Sequence, residues 1–229
     1  KLKSFRARYP KLNYLNRPLA NKWVINEVLK QNATIAKHLP ESRKVSTEKD
    51  LLAFIDKHQM IYFKPINGTG GRGILRIEKK NHTFYRIEGR KQNRSIVPPR
   101  MIRRSGVYKR LTTWNNKSEY MAQQGIELRL ANQRVHDYRL LMQKDGNGKW
   151  VPTGCAGRVG AKRSVTSNLH GGGKAIEMER LMQIWFPEPE RREQIRNRMY
   201  NLGTLIVDEL GKRYHEMCEL ALDIAIDRS

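Results

Sequence analysis

Tyr62-Phe-Lys-Pro-Ile-Asn-Gly-Thr-Gly-Gly-Arg-Gly-Ile74 is the stretch on which the rest of the chain is read. An apolar run ends in Lys64, four glycines fall within Gly68–Gly73, and a second apolar run begins at Ile74. Backbone this rich in glycine can approach a ligand closely and turn several N–H groups toward one point, a concavity that suits phosphate. Lys64 adds the point charge that phosphate attracts. Gly68, Gly70 and Gly73 fit G-x-G-x-x-G, but the dinucleotide-binding form of that pattern needs a helix after the loop. Here Ile74-Leu-Arg-Ile-Glu78 alternates as a strand does. The Walker form needs Lys and then Ser or Thr after the last glycine, where this chain has Ile74 and Leu75. A protein kinase places its glycine loop before its strand lysine, and here Lys64 comes first. What is left is strand, lysine, glycine loop, strand: a hairpin whose tip can fold over a nucleotide's phosphates. The alternative is a glycine-rich turn with no ligand, although four glycines behind a Lys-Pro exceed what a tight turn needs.

On the N-terminal side, residues 1–20 read as an extended lead-in. Asn21 reads as the N-cap of a helix carrying Trp23, Val24, Val28 and Leu29 on one face, with Lys22 in its first turn. Residues 33–45 read as a connector with a short extended piece. Thr47 and Asp50 form a capping-box pattern ahead of a helix through Leu51, Leu52, Phe54 and Ile55. Beyond the loop, 74–77 and 83–87 are strands, 89–117 is basic with a short helix expected around Pro99–Arg104, and Tyr120–Ile126 is a strand ending in a hinge. His136–Gln143 and Lys149–Ala156 form a hairpin around Asp145-Gly-Asn-Gly148. Residues 157–174 read as a mobile basic loop. A long helix is expected from Glu188 to about His215, with Ile195, Met199, Leu202, Ile206 and Leu210 along one side. Leu220-Ala-Leu-Asp-Ile-Ala-Ile226 is an apolar strand broken by Asp223.

Composition narrows the class. The chain has 229 residues, 38% of them hydrophobic, enough for one large domain or two small ones with a real core. No stretch approaches the apolar length of a membrane span, and Lys1-Leu-Lys-Ser-Phe-Arg6 lacks the apolar run of a signal peptide. Cys155 and Cys218 have no metal-ligand spacing, so reduced thiols in a cytoplasmic protein are expected. Charge is the outlier: 45 Lys and Arg against 22 acids give +23, spread along the sequence. Such a field attracts nucleotides, nucleic acid, anionic surfaces or an acidic polymer. Nucleic acid is the weaker partner, because no aromatic-rich RNA signature, zinc spacing or recognition helix accompanies the charge.

In order, these pieces resemble the ATP-grasp superfamily: Lys22 at a helix start, Lys64-Pro-x-x-Gly-x-Gly-Gly-x-Gly, Asp137-Tyr-Arg139, the Ser167-Asn-Leu-His-Gly-Gly172 loop and Leu222-Asp223. The Ser-Asn-Leu-His run also resembles ribosomal-protein glutamate ligases. Asn21-Lys-Trp, Gln123-Gln-Gly-Ile-Glu-Leu128 and Leu220-Ala-Leu-Asp-Ile-Ala-Ile-Asp227 resemble more closely the endospore coat-associated YheC/YheD type. The resemblance implies an α+β ATP-grasp fold over 1–229, with antiparallel sheets of two subdomains, a lid at about 20–122 and a second at about 123–229, sandwiching a nucleotide.

The resemblance also implies roles. Lys22 and Lys64 would contact the phosphates of ATP, and Asn67, Gly68, Thr69, Gly70 and Gly71 would form the lid loop. Gln123, Gln124, Gly125 and Ile126 would be the hinge reading adenine, with Glu127 toward the ribose. Asn168 would close over the site, Arg158 would approach the γ-phosphate, and Arg139 would support phosphate or substrate. Asp223 would hold Mg²⁺, a hard cation that takes carboxylate oxygen. The implied activity is ATP-dependent carboxylate ligation through an acylphosphate, on an unknown and acidic peptide or polymer acceptor, in the cytoplasm or associated with a spore coat. The family's small preceding α/β domain and its final strand carrying Glu and Asn are not matched, so a fragment is expected. A coat-associated structural protein without turnover and a polyanion-binding module are the rival readings.

Overall fold

Short apolar and β-branched runs between Ser42 and Gln124 fold into one six-stranded antiparallel sheet in the computed structural model, which describes residues 2–12, 14–16, 19–68, 70–115 and 119–227. Its strands are β1 (Ser42–Lys44), β2 (Met60–Pro65), β3 (Ile74–Lys79), β4 (Phe84–Arg90), β5 (Ile96–Arg103) and β6 (Tyr120–Gln124), in the order β1-β6-β2-β3-β4-β5. Period-two alternation decides the two faces. Ile61 and Phe63 of β2, Leu75 and Ile77 of β3, Tyr85 and Ile87 of β4, and Tyr120 and Ala122 of β6 share one core. Helices α4 (Glu48–His58) and α5 (Arg104–Asn115) close that core with Leu51, Phe54, Ile55, Val107 and Leu111. The other face therefore carries Tyr62, Lys64, Arg76 and Gln123. The cap of α4 follows the expected box: Thr47 Oγ1 accepts from the Asp50 N–H at 3.1 Å and donates to the Asp50 carboxylate at 2.7 Å.

The second sheet is built from β7 (His136–Lys144), β8 (Trp150–Val159), β9 (Lys174–Glu177) and β10 (Glu219–Ile224), antiparallel throughout in the order β10-β7-β8-β9. Two helices, α6 (Met178–Trp185) and α7 (Pro189–Gly211), lie on it, with Leu181, Met182, Ile195, Met199, Ile206 and Leu210 buried against Tyr138, Leu140 and Met142. Helices α2 (Lys22–Lys30) and α3 (Ala33–Ala36) come earlier than the first sheet in the chain yet pack with the second, through Val28, Leu29 and Ile35.

Several local expectations are corrected. Residues Leu2–Arg8 form a helix, α1, rather than an extended lead-in. The 33–45 connector has its short extended piece in β1 but also holds a helical turn, α3, that was not expected. Pro98 and Pro99 lie in β5 rather than in a helix; β5 is an edge strand, where a missing N–H costs no ladder bond, and the helix begins only at Arg104. The 157–174 stretch is shorter as a loop than read, because β8 runs on to Val159 and β9 starts at Lys174. The long helix ends at Gly211. Both cysteines are free thiols, and no helix among the described residues is long and apolar enough to cross a membrane.

Candidate active site

Lys22 is the first residue of α2, fixed there because Asn21 Oδ1 accepts from the N–H groups of Trp23 and Val24, both at 3.1 Å. Its ammonium reaches across to donate to the carbonyl oxygen of Gly68 at the foot of the glycine loop. Lys64 is placed by alternation on the open face of β2, where Nζ donates to Gln123 Oε1 at 2.5 Å. Gln123 Nε2 passes the contact on to Ser42 Oγ at 2.9 Å. Burial, and then the neighbouring charge of Lys22, push the Lys64 ammonium down to about 8, with Asp223 pulling the other way. Lys22 is also lowered, by burial, against the same attraction from Asp223. The three side chains thus sense one another across a cavity of about 590 Å³ between the sheets. Lys22, Lys64, Gln123, Gln124, Ile126, Asp137 and Asp223 line it, over an apolar wall that includes Ile25, Leu29, Leu220 and Leu222. A small pocket of polar groups set against apolar surface is the ordinary form of a ligand site.

The far side of the cavity is an arginine–carboxylate lattice set by strand register. Asp223 of β10 lies opposite Arg139 of β7, and Asp137 of β7 opposite Arg158 of β8. Arg139 Nε donates to Asp223 Oδ1 at 2.9 Å. Arg158, only 2% exposed, forks onto Asp137, with Nε to Oδ1 at 2.7 Å, and its Nη2 also reaches Asp223 Oδ1 at 3.1 Å. Burial pushes the Asp137 carboxyl up, although hydrogen bonds from Arg158 and the Ser167 hydroxyl oppose the shift.

The glycine loop spans between these two sides. Gly70, Gly71 and Gly73 have φ of 65°, 70° and 66°, the left-handed region that favours glycine. Gly71 is doubly constrained, since a Cβ there would stand 2.4 Å from Asn168 Oδ1. Gly71→Ala is therefore expected to pry the loop from Asn168 and weaken nucleotide binding about tenfold while changing global stability by about 1–2 kcal/mol. Titration of the variant with a fluorescent ATP analogue, beside a melting curve, checks both parts.

The structure brings some of the expected residues together and leaves others apart. Lys22, Lys64, Gln123, Gln124, Ile126 and Asp223 share the cavity, Arg158 and Arg139 hold Asp223, Gly68 accepts from Lys22, and Gly71 abuts Asn168. At the hinge, the Gln124 N–H donates to Glu41 O and the Gly125 N–H to Met60 O, at 2.7 and 2.9 Å, so neither is available to adenine. Glu127 does not line the cavity; it accepts from Arg76 Nη2 at 3.3 Å and from the Arg129 N–H at 3.0 Å. Asn67 is exposed in the turn after β2, and Thr69 lies outside the described residues. Two residues that the sequence reading did not assign to the site are present in it. Asp137 could have been found from the alternation that puts it on the face of Arg139. Asn26, whose buried Nδ2 has no partner, faces the cavity from α2 and carried no signal beyond helical spacing from Lys22.

For a divalent metal the fit is partial. Among the described residues no group of three or more His, Cys, Asp or Glu could hold an ion. Mg²⁺ commonly takes one or two carboxylates and completes its shell with phosphate and water. Asp223, half-exposed at the cavity, can serve as one such donor once an arginine yields an oxygen to it.

A family model described as YheC/D-like ATP-grasp matches residues 11–229. Endospore coat-associated protein YheC of Bacillus subtilis (strain 168) is 30% identical over 227 residues, covering 96% of this chain and 59% of that protein. Endospore coat-associated protein YheD of the same organism is 23% identical over 183 residues, covering 80% of this chain and 40% of that protein. The chain therefore spans less than two thirds of the length of either relative. A solved structure, a Chryseobacterium gregarium RiPP-associated ATP-grasp ligase in complex with ADP and a leader and core peptide, is 12% identical, with a TM-score of 0.43 over 99% of this chain and 56% of that one. On the family match over nearly its whole length, the chain belongs to the YheC/D-like ATP-grasp family.

Proposed function

We propose that this chain is the ATP-binding core of an ATP-dependent ligase acting on a carboxylate. The observation that carries the reading is the convergence of Lys22 and Lys64, two ammonium groups held below their ordinary values, on one cavity facing Asp223. Like charges brought together in a half-buried site call for an anion between them, and a triphosphate under the Gly68–Gly71 loop supplies one. In this reading Lys22 and Lys64 bind phosphate oxygens, and Gln124 with Ile126 and the apolar wall receives the base. A carboxylate oxygen of the acceptor attacks the γ-phosphorus, ADP leaves, and a nucleophile then displaces phosphate from the acyl carbon. Arg139 and Arg158 stabilise charge on the transferring group, and the protein's part is positioning and electrostatics. Mg²⁺, when bound, would neutralise phosphate charge beside Asp223. The net charge of +23 favours an acidic acceptor, and the relatives' names favour association with a spore coat.

The test is a melting curve with and without ATP and Mg²⁺. Saturation at one hundred times Kd adds about 2.7 kcal/mol, and Lys64→Ala is expected to abolish the shift. A wild-type chain that melts at the same temperature with and without ATP refutes the reading. One observation favours a second reading, a coat-associated structural protein that keeps the fold without turnover: both oxygens of Asp223 are engaged by arginines. ATP consumption in the presence of acidic peptides separates the two.

A further inference from the structure

Beyond the cavity, the first sheet meets the second at a seam containing two arginines that no acid among the described residues balances. Arg90, the last residue of β4, is 5% exposed. Its Nη2 donates to the Gly171 carbonyl at 2.6 Å and its Nε to the Arg94 carbonyl at 3.0 Å, while Nη1 is buried with no partner. The fit against the loop is so close that a Cβ on Gly171 would stand 1.6 Å from that Nη1. Arg94, in the β4–β5 turn with φ of 71°, is half-buried and its Nε is likewise without a partner. Burial and the charge of Arg94 hold the Arg90 guanidinium below its ordinary value, with no carboxylate acting on it. Two neighbouring guanidinium groups thus each keep a buried N–H without a partner, so the seam holds two positive charges and two unspent donors.

The seam is continuous with the active site. Gly171 belongs to the same loop as Ser167, which bonds Asp137, and Asn168, which abuts Gly71 of the glycine loop. The seam thus adjoins the Arg158 side of the cavity, away from the Gln124–Ile126 hinge. We infer that Arg90 and Arg94 hold a carboxylate of an acidic peptide acceptor, presented to the cavity along the 167–173 loop. A carboxylate brings two acceptor oxygens and a negative charge, one oxygen for each spare N–H. The assignment rests on the ligase reading for the role of acceptor, whereas the anion site itself does not.

The test is a fluorescence-anisotropy titration of a labelled tetraglutamate peptide onto the full chain in about 0.15 M salt, which screens the diffuse basic field. Arg94→Gln, at a half-buried position, is expected to weaken binding by about tenfold or more. Arg90→Lys, which keeps the charge and loses the fork, should weaken it similarly. Arg103→Gln, exposed on β5, serves as the control and should cost under about twofold. No binding to wild type, or equal losses in Arg94→Gln and the control, overturns the proposal. Displacement of the peptide by inorganic phosphate at lower concentration than by glutarate makes the site one for phosphate and overturns the carboxylate assignment. ADP affinity, measured in parallel, should be unchanged in Arg94→Gln; a matching loss of ADP and peptide also overturns it. Absence of ADP binding to wild type counts against the ligase reading alone, because the peptide result stands without it.

Discussion

Lys64→Met is expected to raise the melting temperature at pH 7 while removing nucleotide binding. The side chain is nearly isosteric but carries no ammonium, and the ammonium is what the fold holds at a cost. Its pKa of about 8, against the ordinary 10.5, corresponds to about 3 kcal/mol of destabilisation when it is charged at neutral pH. Removing it leaves Gln123 Oε1 without its donor, a loss of about 1 kcal/mol because Gln123 keeps its bond to Ser42. A net gain of about 1–2 kcal/mol shifts Tm by about 2–8 °C in a chain of this size. The pH dependence is a sharper check. Between about 8 and 10.5 the unfolded chain binds the proton that folded Lys64 has lost, so this term makes the wild type more stable as pH rises through that window. Lys64→Met loses that slope. Nucleotide binding has the opposite sense: above about pH 8 free Lys64 is neutral and must take up a proton to meet phosphate. Affinity is therefore expected to fall about tenfold per pH unit there. A variant that melts lower, or a wild-type affinity flat from pH 7 to 9.5, would set Lys64 outside the phosphate site.

Most of the fold was legible because its signals are local and act before packing. Asn21 and Thr47 cap helices through their own side chains, and the alternation in β2 puts Phe63 in the core and Lys64 at the cavity whatever the rest of the chain does. The same period in β7 separates Tyr138 and Leu140 from Asp137 and Arg139. Illegible elements depend on tertiary partners. Pro98 and Pro99 argue against a strand unless the strand is known to lie at an edge, and edge position is a property of the finished sheet. The hinge shows the same limit within the site. Gln123-Gln-Gly-Ile126 is a plausible adenine reader by sequence, but Glu41 and Met60 take two of its N–H groups, and both contacts cross long stretches of chain. Arg90 was hidden for a related reason: nothing in the basic 89–117 stretch says which arginine is driven under Gly171.

Arg158→Leu should be the most damaging single substitution in the site. Arg158 is 2% exposed and holds Asp137 by a two-bond fork, with Asp223 as a second carboxylate partner. Leucine fills much of the volume but leaves Asp137 in a place that already pushes its carboxyl upward by burial. Removing one member of a buried pair costs about 3–5 kcal/mol, chiefly through the charge left behind. The sign of the pH effect follows. With Arg158 gone, the folded-state pKa of Asp137 rises further above its ordinary 3.8, so the folded form binds the proton more tightly than the unfolded one. The deficit should therefore be largest near pH 8 and shrink as the pH falls toward 5, the reverse of ordinary acid denaturation. Urea denaturation at the two pH values measures it. The double variant Arg158→Leu with Asp137→Leu removes both charges and should recover most of the loss. Recovery would show that Arg158 stabilises the fold by neutralising Asp137, leaving its weak 3.1 Å contact with Asp223 as the one a phosphoryl group can displace. Without recovery, the weight shifts to Asp223, and an arginine so committed to that carboxylate could not also release it to a metal.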